Sequence, residues 1–163
     1  EFIIADGIEI IQRMDVDVLK RISEKKVRIS VSNLDLSFID LFPGDHVKTF
    51  LKDFFKDFIQ NFIVPKMGID LEMIYGADGS NPYKLQFIET VQSPINRHPL
   101  TGQPVWFCNI HNHSRYLRDR RPCTIPEVGM TDVYYGDLSR ITPEDLETIN
   151  KSCEESYKAI LME

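Results

Sequence analysis

The segment of residues 97–113 constrains the fold more than any other, because it holds the single tryptophan of the chain, Trp106, and three of its four histidines. Proline and glycine residues within 98–104 predict a turn. The β-branched and aromatic side chains of residues 105–111 predict a strand that follows this turn directly. The segment therefore predicts a turn that leads into a buried strand.

Periodic apolar residues predict helices and strands elsewhere in the chain. Helices are predicted at residues 8–14, 15–26, 46–62 and from Thr142 onwards. Strands are predicted at residues 3–5, 27–34, 71–75, 85–91 and 133–137, the last ending in a turn. The strands at 71–75 and 85–91 are close enough in sequence to pair as a hairpin.

Two of the predicted helices need further comment. The helix at 46–62 has one wide apolar face rich in phenylalanine, which favours docking on a core over the alternative of lining a ligand groove. Pro43 suits its first turn, and Pro65 and Gly68 are expected to end it. The last helix begins with Thr142 and Pro143, and its apolar stripe continues to Ile160 with no stop signal, so both ends of the chain look cut.

Composition excludes several classes of protein. A chain of 163 residues can bury a sizeable core, and its net charge of −6 argues against nucleic-acid binding. The sequence contains no apolar run as long as a membrane span. Its three cysteines lack any CxxC spacing and indicate free thiols in a reducing compartment. We therefore expect a cytoplasmic protein with no nucleic-acid or membrane partner. The sequence does not determine its oligomeric state.

Two histidines are candidates for a metal site. On a strand, His111 and His113 would project to the same face and could share a metal ion. The sequence does not indicate a third ligand, although Asp132 and Asp137 are available. We therefore favour histidines at the edge of a loop, bonded to backbone or water.

A basic stretch follows the histidines, at residues 115, 118, 120 and 121. Arginines here could clamp a carboxylate or a phosphate. A solvated loop with Asp119 as counter-charge is the favoured interpretation. Residue patterns alone indicate a mixed α and β protein without a phosphate-binding glycine loop or a nucleophile motif.

Three segments carry a family resemblance. They are residues 1–14 (EFIIADGIEIIQRM), 97–111 (RHPLTGQPVWFCNIH) and 133–145 (VYYGDLSRITPED). In this order they resemble motifs of the TauD/TfdA-like (clavaminate synthase-like) family of iron(II)/2-oxoglutarate-dependent dioxygenases. The second resembles the family pattern HPVTGExVWFNxxH, and the third resembles YYGDGSPIPDE followed by a helix.

The resemblance implies an α+β fold, namely a partial double-stranded β-helix (jelly roll) with a helical insert, incomplete at both ends. Residues 1–163 would be the middle portion of a single dioxygenase domain. The full-length protein would use Fe(II) and 2-oxoglutarate to oxidise a C–H bond of a small-molecule substrate. The metal ligands and the arginine that holds 2-oxoglutarate would lie outside this chain, which alone would be inactive.

The resemblance also suggests site residues and exposes departures from the family pattern. Trp106, Asn109 and His111 are candidate substrate-binding residues, with anchoring of the core beneath the turn as the alternative. Phe2 and Cys108 stand where the pattern has Thr and Asn. Leu138 replaces a glycine, which leaves the geometry of that turn open. The rival functions are a non-catalytic interaction domain that keeps the scaffold, and a metal module built on the two histidines.

Overall fold

A computed structural model describes residues 2–68, 70–77, 79, 81–120 and 131–160, without the side chains of residues 2–4 and 158–160. Within these ranges helices are combined with antiparallel sheets. The α+β class predicted from the sequence is therefore confirmed. The described strands do not close into a barrel.

The strands and helices are numbered in chain order. The strands are β1 (Phe2–Ala5), β2 (Val27–Asp35), β3 (Leu71–Tyr75), β4 (Lys84–Glu89), β5 (Ile95–Arg97), β6 (Pro104–Trp106), β7 (Asp132–Tyr135) and β8 (Tyr157–Ile160). The helices are α1 (Gly7–Arg13), α2 (Val16–Lys25), α3 (Asp45–Phe58), α4 (Val64–Met67), α5 (Ile110–His113), α6 (Arg115–Arg118) and α7 (Pro143–Glu154). A 3-10 turn spans Ser37–Leu41, and a π-helical turn, Ile59–Ile63, joins α3 to α4.

The largest sheet has four antiparallel strands in the order β3-β4-β2-β7. Its β3–β4 pair is the predicted hairpin, in which Met73 lies opposite Phe87. Strand β2 pairs with β4 along one edge and with β7 along the other, with a register shift between Ser30 and Ser32. Strands β1 and β8 form a second sheet, and β5 and β6 a third.

Short polar side chains set the helix starts where the sequence predicts them. The Asp15 carboxylate accepts hydrogen bonds from the backbone N–H groups of Asp17 and Val18 at the start of α2. The Thr142 hydroxyl accepts one from the N–H of Asp145, and Pro143 occupies the first position of α7. Each cap satisfies backbone donors that the helix itself leaves unpaired.

Two apolar clusters form the interior. The main core contains buried side chains from α1, α2, α7, β7 and residues 106–110. Among them are Ile10, Ile22, Trp106, Val133, Tyr135, Leu146 and Ile149. The second core lies under α3 and the β3–β4 hairpin and contains Leu36, Ile39, Ile59, Val64, Leu71, Met73 and Leu85.

The sequence prediction for the C-terminal segment is wrong beyond Glu154. Helix α7 ends there, and Tyr157 and Ile160 belong to strand β8. Tyr157 pairs with Ala5, and Ile160 with Phe2, in antiparallel register with β1. Tyr157 and Ile160 fit the helical spacing of the apolar stripe only by coincidence. Their conformation is set by strand pairing with the distant N-terminal segment.

The predicted strand at residues 105–111 is also wrong beyond Trp106. Strand β6 ends at Trp106, and Ile110 begins the single helical turn α5. The backbone N–H groups of Asn112 and His113 donate to the carbonyl of Asn109 at 3.0 Å. The β-branched and aromatic content therefore predicted a strand that is too long. Local hydrogen bonds after Trp106 close a helical turn instead.

Helix α3 differs from its prediction at both ends. Pro43 lies before the first turn, because the helix starts at Asp45 with Gly44 in the N-cap position. Pro65 lies inside the last turn, α4, instead of ending the helix. Gly68 does end it, in the left-handed conformation (φ 65°). The π-turn ends at Ile63, two residues before Pro65, whose ring would clash with a carbonyl four residues earlier in a regular helix.

Candidate functional site

Trp106 lies where the first helix meets the β5–β6 hairpin. A Cβ atom on Gly7, the first residue of α1, would stand 2.6 Å from the carbonyl oxygen of Trp106, so only glycine permits this approach. The Trp106 side chain is 7% exposed and belongs to the main core. Its indole Nε1 has no hydrogen-bond partner among the described residues.

The other two predicted site residues lie in the helical turn after β6, Asn109 at the N-cap of α5 and His111 within it. Asn109 is exposed, whereas His111 is buried, with its ring centroid 6.5 Å from that of Tyr157. The structure thus buries Trp106 and His111 and leaves Asn109 in solvent. Burial is what the core-anchoring alternative requires of Trp106 and His111. The substrate-binding role of all three stays a prediction.

The histidine pair does not have the geometry that a shared metal ion needs. His111 and His113 lie in one helical turn, where residues two apart are separated by about 200° around the axis. The expectation that they share a face, which required a strand, is therefore wrong. Among the described residues, no three His, Cys, Asp or Glu side chains are grouped so that they could hold a metal ion.

Cys108 and Cys153 are free thiols, as predicted, and the structure buries both in the main core. Cys123 lies outside the described residues. Burial raises the pKa of the Cys108 thiol to about 11 and that of the Cys153 thiol to about 12. Both are therefore protonated at neutral pH, and a nucleophilic cysteine requires the thiolate. We assign both residues to the main core.

A cleft of about 490 Å³ lies between α6, β7 and the start of α7. Three guanidinium groups line it, those of Arg115, Arg120 and Arg140, together with two carboxylates and Tyr116. The guanidinium carbon of Arg120 stands 3.3 Å from the centroid of the Tyr116 ring. The Tyr116 hydroxyl donates to Glu147 at 2.5 Å. Such a cleft can bind a carboxylate or phosphate group through forked guanidinium donors.

The basic stretch divides between this cleft and the interior. Arg115 lies 3.9 Å from Asp119, its predicted counter-charge. Arg118 was expected in solvent but is 6% exposed. It donates to the hydroxyl of Thr131 at 2.7 Å and to the Thr131 carbonyl at 3.0 Å. Arg118 therefore holds the segment onto the fold; Arg121 lies outside the described residues.

Sequence reasoning missed part of the cleft. It selected Arg115 and Arg120 from a run of basic residues, but it did not select Arg140 or Tyr116. Arg140 lies 20 positions further along the chain than Arg120 and reaches the cleft only because β7 and α7 pack beside α6. No local pattern marks such a residue in advance.

A charged network lies beside the main core, with Asp145 and Tyr135 buried and the Arg21 side chain 42% exposed. Arg21 donates to both carboxylate oxygens of Asp145, at 2.8 and 2.7 Å, and the Tyr135 hydroxyl donates to the same carboxylate at 2.8 Å. The hydrogen bond from Arg21 lowers the pKa of the Asp145 carboxyl. Burial, with Asp145 adding to it, raises the pKa of Tyr135 to about 12. Since all of its members are hydrogen-bonded to one another, we assign this network to the fold.

Comparisons with known proteins do not extend these observations. No protein-family model matches the chain, and a search of curated proteins finds no match. In the described ranges, no helix combines the length and the apolar character that crossing a membrane would require.

Proposed function

We propose that the chain is the middle portion of an iron(II)/2-oxoglutarate-dependent oxygenase domain with a jelly-roll fold. The complete cytoplasmic protein would oxidise a C–H bond of a small-molecule substrate. This chain would supply sheet strands, the helical insert and part of the substrate pocket. The proposal originates in the ordered likeness of three segments, and three features of the structure support it.

The observation that carries the proposal is that the three segments meet in one core. Helix α1, from the first segment, lies against Trp106 of the second through the Gly7 contact. Ile10, Trp106 and Tyr135, one from each segment, belong to the same buried cluster. Segments from both ends of the chain and from its middle thus form one packed unit, as motifs of a single domain would.

The turn after β7 supports the resemblance at the point where the sequence departs from it. Leu138 has φ 67°, a left-handed conformation that favours glycine. Its N–H donates to the carbonyl of Tyr135 at 2.9 Å, which closes the turn. The family pattern has glycine at this position, so the backbone geometry agrees with the pattern although the residue does not.

The sheet edges support an incomplete jelly roll. Within the described residues, β1 and β8 pair only with each other, and β3 ends the four-stranded sheet. Such edges expose unpaired backbone groups, and covering them with further chain is one way in which native proteins protect them. Further strands of a larger domain would cover them.

The described residues do not fit an iron site, because they contain no suitable group of three ligands. The proposal therefore requires the two-histidine, one-carboxylate ligand set of the family to come from sequence outside residues 1–163. Of the described surfaces, the arginine-lined cleft suits an anionic group on the substrate.

The flanking sequence of the gene tests the proposal directly. We expect a His-x-Asp or His-x-Glu pair encoded before residue 1, and a further histidine and an arginine encoded after residue 163. The extended protein should bind Fe(II) and release succinate from 2-oxoglutarate, and replacing the first histidine by alanine should abolish both. An extended protein without these ligands would refute the oxygenase.

A non-catalytic interaction domain is the second candidate, and the exposed phenylalanines of α3 favour it. An extended protein that binds neither Fe(II) nor 2-oxoglutarate, yet still binds a protein partner through α3, would establish this alternative.

A further inference from the structure

Four phenylalanines form a continuous row on the outer face of α3 and the π-turn. They are Phe50, Phe54, Phe58 and Phe62, called here the Phe row, and they are 46–67% exposed. Successive rings are stacked, with centroids 6.5, 6.2 and 5.4 Å apart. Contiguous exposed apolar surface of this kind marks interaction sites in soluble proteins.

The Phe row is not needed to attach the helix to the fold. The neighbouring face does this, since Leu51 and Phe55 pack against the second core and Ile59 is 4% exposed within it. Docking of the helix on a core, which the sequence predicts, therefore holds for one side of its wide apolar face. The other side remains in solvent.

The π-turn keeps the row straight. Residues four apart in an α-helix drift by about 40° around the axis, which would carry the last ring away from the others. A π-turn has more residues per turn and opposes this drift. The N–H of Val64 donates to the carbonyl of Ile59, five residues earlier, and Phe62 stays stacked on Phe58.

Acidic side chains border the row. A groove of about 320 Å³ runs along it and is also lined by Asp53, Asp57 and Asn61. Asp53 and Asp57 are exposed, and neither forms an ion pair within the described ranges. Of the three lysines of this helix, Lys48 bonds to Asp40 at 2.7 Å and Lys52 lies over the Tyr75 ring at 4.6 Å, whereas Lys56 is exposed.

We propose that the Phe row and its acidic border bind an amphipathic helix of another protein, one with apolar side chains on one face and Lys or Arg along one edge. The rings would supply the buried aromatic anchors that dominate interface energies. The two aspartates would select the basic edge and set the orientation of the bound helix. This inference goes beyond the oxygenase proposal and does not depend on it.

Charge disfavours a second copy of this chain as the occupant. In a two-fold contact between antiparallel α3 helices, the same edge of each helix faces the other. Asp53 and Asp57 of one copy would then face the same aspartates of the other copy. Like charges across an interface repel each other. The same two aspartates attract a helix that carries Lys or Arg along its edge.

The test uses two synthetic helical peptides of about 20 residues, the length that spans α3 and the π-turn. Both carry a leucine face; one has lysines along its edge and the other has glutamates in the same places. Binding of each fluorescent peptide to the chain is measured by anisotropy. We expect the lysine peptide to bind at least about tenfold more tightly than the glutamate peptide, a difference that one good charge pair supplies.

Three variants assign the binding to the row. Phe54→Ser combined with Phe58→Ser should weaken the lysine peptide at least about tenfold, as expected for central aromatic anchors. Asp53→Lys combined with Asp57→Lys should reverse the preference between the peptides. The matched control is Leu100→Ser, because Leu100 is 90% exposed in the β5–β6 turn, away from α3, and should leave binding unchanged. Circular dichroism melts establish that each variant is folded.

Any of four results would overturn the proposal. These are equal affinity for the two peptides, no binding of the lysine peptide, unchanged affinity in the double serine variant, and unchanged preference in the double lysine variant. Sedimentation of the wild-type chain tests the two other occupants of the Phe row, a second copy of the chain and a lipid surface. Dimers abolished by the serine changes would identify a second copy, and co-sedimentation with phosphatidylcholine vesicles in preference to the peptide would identify a lipid surface; either result rejects a basic helix.

Discussion

Helices α7 and α3 have similar apolar patterns and opposite environments. In α7 the stripe is fully buried, with Ile149 and Cys153 both 0% exposed. Helix α3 has the more extensive apolar face, yet none of its own residues is buried. An apolar stripe therefore identifies the face of a helix that is suited to burial, but not whether the fold covers it.

The difference arises from how many elements surround each helix. Helix α7 packs against α1, α2, α5 and α6, so its apolar face is enclosed on several sides. Helix α3 touches the fold along one edge, beside the 3-10 turn Ser37–Leu41 and the second core. Its remaining apolar surface is exposed, which is the basis of the inference about the Phe row.

The largest expected effect contrasts one side chain from each helix. Ile149→Ala should lower the free energy of unfolding by about 2 to 5 kcal/mol, because it opens a cavity in a closed core. Phe50→Ala removes a larger side chain that is 67% exposed and should change this free energy by less than about 0.5 kcal/mol. Urea denaturation measures both. Equal losses would show that α3 is not the open helix described here.

The hydrogen bonds of Asp145, on α7, with Arg21 and Tyr135 should make stability depend on pH. Asp145→Asn should cost about 2 to 3 kcal/mol near pH 7, since it removes a charged hydrogen-bond acceptor shared by Arg21 and Tyr135. Folding lowers the pKa of Asp145, so its contribution is fully present above the unfolded pKa of about 3.9. It is lost as the pH falls through the lower folded pKa.

Urea titrations of wild type and Asp145→Asn between pH 2 and pH 7 measure this dependence. The difference in the free energy of unfolding between the two proteins should disappear at the acidic end of this range. The control is Asp57→Asn on α3, whose carboxylate is exposed and has no ion-pair partner in the described ranges, and it should show no such difference. If the difference in the free energy of unfolding between wild type and Asp145→Asn stays constant with pH, the charged role assigned to Asp145 is contradicted.

The contact between α1 and Trp106 predicts a smaller loss. Gly7→Ala should lower the free energy of unfolding by about 1 to 3 kcal/mol, because the added methyl group meets the backbone of Trp106 and cannot be accommodated by a side-chain rotation. The fluorescence of the single tryptophan reports the displacement as a red shift. Val16→Ala, at a position 76% exposed, serves as the control and should leave the emission unchanged.

The smallest expected effect is a gain. Leu138→Gly should raise the free energy of unfolding by up to about 1 kcal/mol, because it relieves the left-handed strain, in part offset by the greater freedom of glycine in the unfolded chain. Leu100→Gly, at a position without positive φ, should produce no gain. A loss of stability at Leu138 would mean that its side-chain contacts outweigh the strain.

Local signals were sufficient for much of the fold and little of the site. Asp15, Thr142 and Gly68 act within a few residues of themselves, and each behaves as the sequence predicts. The cleft depends on Arg140 meeting Arg115 and Arg120, which belong to separate elements. Such contacts are long-range and leave no pattern in a single sequence.

The sequence by itself determined the starts of α2 and α7 and most of the strands, because these follow from side-chain shape and from spacing. Only the tertiary structure decided that Tyr157 lies in a strand, since β8 forms by pairing with β1 at the other end of the chain. It also decided that one apolar helix face is enclosed while the Phe row stays exposed. Burial is settled by what packs on a surface, and that depends on the whole arrangement of the chain.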